Sequence, residues 1–352
     1  MREEVRLGVV GCGWAGRQTA LAGTVVPGVR VTAVSDVVGG LRDTVAAEFG
    51  VPGRYGDYRE LLADPQVDAV ALVVNPATRY QMVFDSLAAG KHVLVQKPHA
   101  VRAGHILEFE AAAAKADRTL QFCYFRRHFP EARRIRAAVA AGAIGRPYHA
   151  RIFLKFNFLP PADGITRWLQ VWGQKGGALG QHASHELDLA WWWMGCPEPE
   201  WAFAAAHAVY PAYGGPEGPA EDYFSGLVGL AGGLTIQIDC SRWLHSDSPT
   251  LVELYGSEGA IAQGKISRYA GGEHRFEEAM ALADDPPIPH TKPPDPVPPF
   301  FYEVEHFALA VAGRVEPEVS VRQAHTFLRI LDGLYDSAAR RERVELRAGG
   351  WS

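Results

Sequence analysis

Short apolar runs alternate with amphipathic stretches through the first third of the chain. Residues 5–10, 29–35, 67–74, 92–95 and 119–124 are dominated by Val, Leu and Ala, and read as strands buried on both faces. Between them, helical periodicity covers about 15–22, 40–49, 58–62, 78–89 and 103–116. Gly23 with Pro27 beyond it, and Gly90, supply the stops. Strands alternating with helices of this length predict an α/β fold with a doubly wound parallel sheet.

The pattern changes near residue 126. A helix rich in arginine is expected over 130–141, with Arg133, Arg134 and Arg136 forming a solvated basic face. Residues 148–158 alternate like a strand. Further strand-like runs near 201–210, 223–230, 234–241, 251–255 and 260–262, with glycine turns among them, predict one large, mostly antiparallel open sheet. Residues 284–299 hold eight prolines and read as an extended loop. Helices near 301–313 and 321–340 and a last strand near 343–346 close the chain. Its 352 residues exceed one ordinary core. The division expected is 1–125 and 126–352. Whether the final helices pack back on the first domain is left open.

The first strand runs straight into Gly11-Cys12-Gly13-Trp14-Ala15-Gly16 and then a helix, the context that a G-x-G-x-x-G dinucleotide fingerprint requires. The first glycine permits a tight turn, the second lets a pyrophosphate approach the backbone, and the third lets helix pack on strand. The second strand ends in Asp36, twenty residues after Gly16. A carboxylate there accepts hydrogen bonds from ribose hydroxyls and repels a 2′-phosphate, which favours NAD over NADP. Asn75-Pro76 and Gln96-Lys97-Pro98 also fall at strand carboxyl ends and should line the same crevice. Proline stops the ladder after Lys97 and stiffens it toward extended geometry.

Composition narrows the function classes. The chain is 47% apolar and 21% charged with a net charge of −5, which gives no reason to expect nucleic acid or an anionic membrane as partner. No apolar run is long enough to span a bilayer, and the start does not resemble a signal peptide. Cys12, Cys123, Cys196 and Cys240 form no CxxC pair, which points to reduced thiols and a cytoplasmic location.

One more stretch carries candidate chemistry. After Gly176-Gly177-Ala178-Leu179-Gly180, a helix is expected to about Met194, closed by Gly195 and Pro197. Gln181, His185 and Asp188 fall at i, i+4 and i+7, on one face. His182, His185 and Glu186 lack the HExxH order and have no cysteine nearby, so no metal is expected.

Taken together, the fingerprint, Asp36, Asn75-Pro76, Gln96-Lys97-Pro98 and the Gly-Gly-Ala-Leu helix with His185 and Asp188 resemble the glucose–fructose oxidoreductase and inositol dehydrogenase family, Gfo/Idh/MocA. The resemblance extends over nearly the whole chain, including Phe301-Tyr302-Glu303-Val304 and the stretch from Ile330 to Ser337. It implies a Rossmann domain followed by an α/β domain whose open sheet carries a homodimer or homotetramer contact. It also implies hydride transfer between a nicotinamide cofactor and a secondary hydroxyl or ketone of a sugar, cyclitol or glycoside. Cofactor contacts are then expected from Gly11, Cys12, Gly13, Trp14, Ala15, Gly16, Asp36, Asn75, Pro76, Gln96 and Lys97. The catalytic group implied is Lys97 and His185, with Gln181 in the place of the family's acid. Two departures stand out: the usual Glu-Lys-Pro is Gln96-Lys97-Pro98, and the usual acid before the histidine is Gln181.

On this reading His185 takes the hydroxyl proton, Lys97 stabilises the developing oxyanion and Gln181 only orients. A carboxylate beside a histidine favours its charged form; an amide does so less. Arg126, Asn157, Trp168, Trp172 and His182 are the substrate-lining candidates. Two alternatives stay open: a redox-neutral glycoside-cleaving or isomerising enzyme with retained NAD, and a non-catalytic NAD-binding regulator.

Overall fold

The computed structural model describes residues 4–155, 171–209, 220–242, 251–262, 264–270, 273–278 and 296–346. In chain order the first elements are β1 (Val5–Val10), α1 (Trp14–Val25), β2 (Val29–Ser35), α2 (Gly39–Phe49), β3 (Gly53–Tyr55), α3 (Tyr58–Ala63), β4 (Ala69–Leu72), α4 (Pro76–Ala88), β5 (His92–Val95), α5 (Gly104–Ala116) and β6 (Leu120–Phe122). They are followed by α6 (Pro130–Ala140), β7 (Pro147–Lys155), α7 (Ser184–Trp193), β8 (Pro199–His207), β9 (Tyr223–Leu230), β10 (Leu234–Ser241) and β11 (Leu251–Gly256). The last are β12 (Ala260–Ala262), β13 (Lys265–Ala270), β14 (Glu273–Glu278), α8 (Phe301–Val311), α9 (Val321–Arg340) and β15 (Val344–Glu345). Among the described residues, 4–128 with 296–325 form one compact unit, and those within 129–278 with 326–346 form a second.

The first unit is built on six parallel strands in the order β3-β2-β1-β4-β5-β6. The strand order reverses between β1 and β4, so the crevice for a ligand opens at the carboxyl ends of those two strands. The central strands are buried on both faces, with Val9, Val70 and Val93 fully inaccessible, as their unbroken apolar runs require. Strand β3, absent from the hydrophobic reading, is a three-residue edge at Gly53–Tyr55 too short to show periodicity. Helix α8 belongs to this unit, and Phe300 at its start meets Trp14 of α1 edge-on at 6.2 Å.

The second unit carries a nine-stranded sheet in the order β14-β13-β12-β11-β7-β10-β9-β8-β15. Every pair is antiparallel except β10 with β7. The arginine face expected on α6 is not a solvated one. Arg133 is buried, and Arg136 donates to the Trp193 carbonyl at 3.3 Å and lies over the Trp192 ring. Trp192 and Trp193 of α7 receive the Arg136 guanidinium, which a count of charges along the helix cannot show. Most of the proline-rich stretch, residues 284–295, lies outside the described residues, as do Asn157 and Trp168.

Candidate functional site

The fingerprint residues form a cradle at the end of β1. Gly11 takes φ +96°, and the third glycine is fixed by close approach: a Cβ on Gly16 would sit 1.7 Å from the Gly11 carbonyl oxygen. At Gly13 the reverse holds, since a Cβ there would meet nothing within 4 Å. Helix α1 starts at this open position, and no side chain caps its first-turn N–H groups. Uncapped donors facing open space at a helix N-terminus fit a pyrophosphate. The Asp36 carboxylate accepts from Cys12 N at 2.7 Å and from Val38 N at 2.8 Å, which fixes it at the ends of β1 and β2. Its remaining lone pairs suit ribose hydroxyls, so the residues present fit NAD. Trp14 is exposed, Ala15 and Asp36 are half-buried, and Cys12 is buried with its thiol pushed up to about 12 by desolvation. Asn75 Oδ1 accepts from Thr78 N at 2.9 Å, capping α4, with Pro76 at the first helical position.

Lys97 follows β5 on this same edge, and its peptide to Pro98 is cis. The loop is tied from beneath by Arg79 of α4, a residue without apparent distinction in the sequence. The buried guanidinium donates to the carbonyl oxygens of Gln96 and Val74, and to Pro98 O at 2.6 Å. One side chain therefore ties together the loops after β4 and β5. Burial pushes its pKa down to about 9. His99, one residue beyond Pro98, is also buried. Its Nε2 meets the Cys123 carbonyl at 3.0 Å, and desolvation holds it neutral, near 3.

Gln96 sits in a buried network that explains its amide. Its Oε1 accepts from Lys97 N at 2.9 Å and from the Cys123 thiol at 2.9 Å. The same sulfur lies 2.7 Å from Glu303 Oε2 of α8, and Glu303 is itself buried. Desolvation pushes the Glu303 carboxyl up to about 8. The Cys123 thiol is within hydrogen-bonding reach of both Glu303 Oε2 and Gln96 Oε1, and Gln96 orients the Lys97 backbone. A carboxylate at 96 would place a second acid one thiol away from the first.

The sign of the resulting pH effect differs from that of a paired carboxylate. Glu303 is raised from 4.5 to about 8, so the folded chain holds a proton that the unfolded chain has released. Stability contributed by the neutral form is complete below the unfolded value and is lost as pH rises from 4.5 through about 8. We predict that Glu303→Gln, neutral at every pH, gains Tm relative to wild type between pH 5.5 and 8.5. Parallel Tm curves for the two proteins would rule this out.

In the second unit the glycine-rich stretch does not enter a regular helix directly. Ala178–Ala183 form a π-helical turn that leads into α7. Such wider turns place side chains off the α-helical register and recur at functional sites. Glu221 and Tyr335 hold it. Ala178 N donates to the Glu221 carbonyl at 3.1 Å, Leu179 N to Glu221 Oε1 at 2.9 Å, and Gly180 N to the Tyr335 hydroxyl at 3.1 Å. Tyr335 in turn donates to Glu221 at 3.0 Å. Gly177 is required by this approach, because a Cβ there would lie 1.8 Å from Glu221 Oε2. Burial raises Glu221 to about 7.

Gln181 Oε1 accepts from Arg242 at 3.0 Å, and Arg242 also donates to the Gly176 carbonyl. The amide at 181 is thus held by a cation. His185 is buried at 7% exposure and Asp188 at 1%, so this polar face does not simply meet water. His182 and Trp172 are half-buried, and the Trp172 ring meets Tyr335 edge-on at 4.8 Å. Arg126 is half-buried in the short turn Phe125–His128 of the first unit.

The structure thus groups Gly11, Gly13, Gly16, Asp36, Asn75, Gln96 and Lys97 on one edge of the first unit. Within the second unit it holds Trp172, Gln181, His182 and His185 in one stretch braced by Glu221, Arg242 and Tyr335. The sequence reading missed Arg79, Glu221, Arg242, Glu303 and Tyr335. Their partners lie on elements far away in the sequence, so no local pattern marks them.

Comparison with known proteins places these features. The family model described as oxidoreductase family, NAD-binding Rossmann fold, matches residues 5–124, and the GFO/IDH/MocA C-terminal domain model matches residues 132–262. The chain is 28% identical over 276 residues to scyllo-inositol 2-dehydrogenase (NAD(+)) of Bacillus subtilis, covering 76% of this chain and 75% of that one. It is 29% identical over 257 residues to myo-inositol 2-dehydrogenase of Thermotoga maritima, covering 73% and 74%. Its fold superposes on levoglucosan dehydrogenase, solved with NADH and levoglucosan, with a TM-score of 0.79 at 20% identity over 98% and 100% of the two chains. With both domain models matched in order, and with a cradle that fits the cofactor, the chain belongs to the Gfo/Idh/MocA family of NAD-binding oxidoreductases.

Proposed function

We propose that this protein is an NAD-dependent dehydrogenase of a secondary hydroxyl on a sugar or cyclitol, with Lys97 and His185 as its catalytic residues. The observation that carries the reading is the Lys97 loop. A lysine stands at the cofactor edge of the sheet on a backbone that Arg79, Gln96 and the Glu303–Cys123 pair fix from below. Rigid support of this kind is what an electrostatic group in a reaction centre needs. The relatives named for inositol dehydrogenation support a sugar or cyclitol as the substrate class.

NAD, when bound, supplies the hydride acceptor. Gly13 and the first turn of α1 would hold its pyrophosphate, and Asp36 would hold its adenosine ribose. Lys97 donates a hydrogen bond to the reacting oxygen and stabilises negative charge developing there. His185 takes the hydroxyl proton, a role suited to imidazole near neutral pH. Gln181, held by Arg242, orients without contributing charge.

A panel of polyols, cyclitols and glycosides with NAD, followed by absorbance of reduced nicotinamide, tests the reading. A cyclitol or sugar that yields NADH in proportion to product is the expected result. Product without NADH would replace it with the redox-neutral alternative. NAD binding confirmed by calorimetry, with silence across the panel, would favour a regulator.

A further inference from the structure

We propose that the first unit carries a binding site for a divalent transition metal of the zinc class, formed by His128, His306 and Glu318. Their ligand atoms, one from each residue, all lie within 4.8 Å of one another. The three come from separate segments: the turn Phe125–His128 after β6, helix α8, and the loop between α8 and α9. No spacing in the sequence announces them, because 178 residues separate the two histidines.

The donor chemistry selects the metal. Two imidazoles and one carboxylate are the ligand set of open tetrahedral zinc sites, whereas calcium and magnesium take oxygen donors. Both imidazoles are deeply buried, at 1% and 2% exposure, with ring centroids 4.8 Å apart. Glu318 is half-buried, so a fourth position can take water. Gln121 of β6, itself fully buried, places Oε1 3.2 Å from His306 Nδ1. With that oxygen accepting, the proton sits on Nδ1 and the lone pair on Nε2, the tautomer a metal requires, supported from behind as metal-bound histidines usually are. Tetrahedral ligands at about 2.1 Å from zinc lie roughly 3.4 Å apart, so the longest separation must shorten by up to about 1.4 Å. Glu318, on a loop, is the member free of helical or sheet constraint. A metal here would tie the turn that carries Arg126 to α8.

The test uses the full chain without a histidine tag, stripped with chelator and titrated with Zn2+ alone by calorimetry. One equivalent with a Kd below about 1 µM is expected, with a rise in Tm on saturation. Co2+ in place of Zn2+ should give tetrahedral visible bands without thiolate charge transfer. His306→Gln should weaken binding by about 100-fold or more. Glu318→Gln, at the half-buried position where folding is least at risk, should weaken it about 10- to 100-fold. His185→Gln should leave the stoichiometry unchanged, since that histidine belongs to another cluster. Absence of uptake by the wild-type chain overturns the proposal, as does uptake that neither His306→Gln nor Glu318→Gln diminishes.

Discussion

His185→Ala is expected to lower kcat by about 10²- to 10⁴-fold, the range for loss of a general base. NAD affinity of the free enzyme should stay unchanged in calorimetry, because the cofactor contacts assigned here come from Gly13, α1 and Asp36. Lys97→Met should cost about 10²- to 10³-fold, the range for one preorganised donor to a developing oxyanion. Both residues are proposed to act on the same oxygen, so the two losses should not multiply. The double variant should fall little below the worse single one, as groups that work as a unit do. The pH–rate profile adds a readout that a structural role would not move: its limb reporting the base should vanish in His185→Ala and persist in Lys97→Met. A kcat within a few-fold of wild type for His185→Ala removes that residue from the mechanism. Fully multiplicative losses would mean that the two act in separate steps.

How much of this was legible in the chain differs between the two units. The cradle was readable because its signals are local. Gly11 and Gly16 are demanded by turn geometry and close approach within six residues, Gly13 leaves open space at the start of α1, and Asp36 follows from strand length. Lys97 was readable because proline ends its strand. Its supports were not, since Arg79, Cys123 and Glu303 converge on Gln96 and Lys97 from three elements far apart in sequence. In the second unit the pattern showed a helix carrying Gln181 and His185 but not its π-helical first turn. That turn is set by Glu221 and Tyr335, which lie 42 and 155 residues from the amides they receive. Periodicity reports which face of an element is apolar, not which buried acid reaches its end. The same limit accounts for Arg133, an arginine buried on a helix whose charges suggested solvent.

The largest structural effect is expected at Arg79. Arg79→Met keeps the length of the side chain and removes the donors to the carbonyls of Val74, Gln96 and Pro98. A hydrogen bond from a charged donor is worth about 1.5–3 kcal/mol, and a buried carbonyl left without a partner costs about 1–3 kcal/mol. Three such losses would sum to more, but the wild-type chain also bears the cost of burying the guanidinium, the same desolvation that lowers its pKa toward 9. The net should be on the order of 3–5 kcal/mol, read as a fall of roughly 10 °C in the first unfolding transition. Arg79→Lys keeps the charge but cannot fork to loops on two strands, so it should recover only part of the Tm. The functional consequence separates a positioning role from a merely structural one. If Arg79 fixes Lys97 against the cofactor edge, kcat at 15 °C, where the variant is still folded, should drop by about tenfold with KM for substrate little changed. A variant that loses the Tm but keeps full kcat at that temperature would show that the Lys97 loop holds its geometry without the clamp.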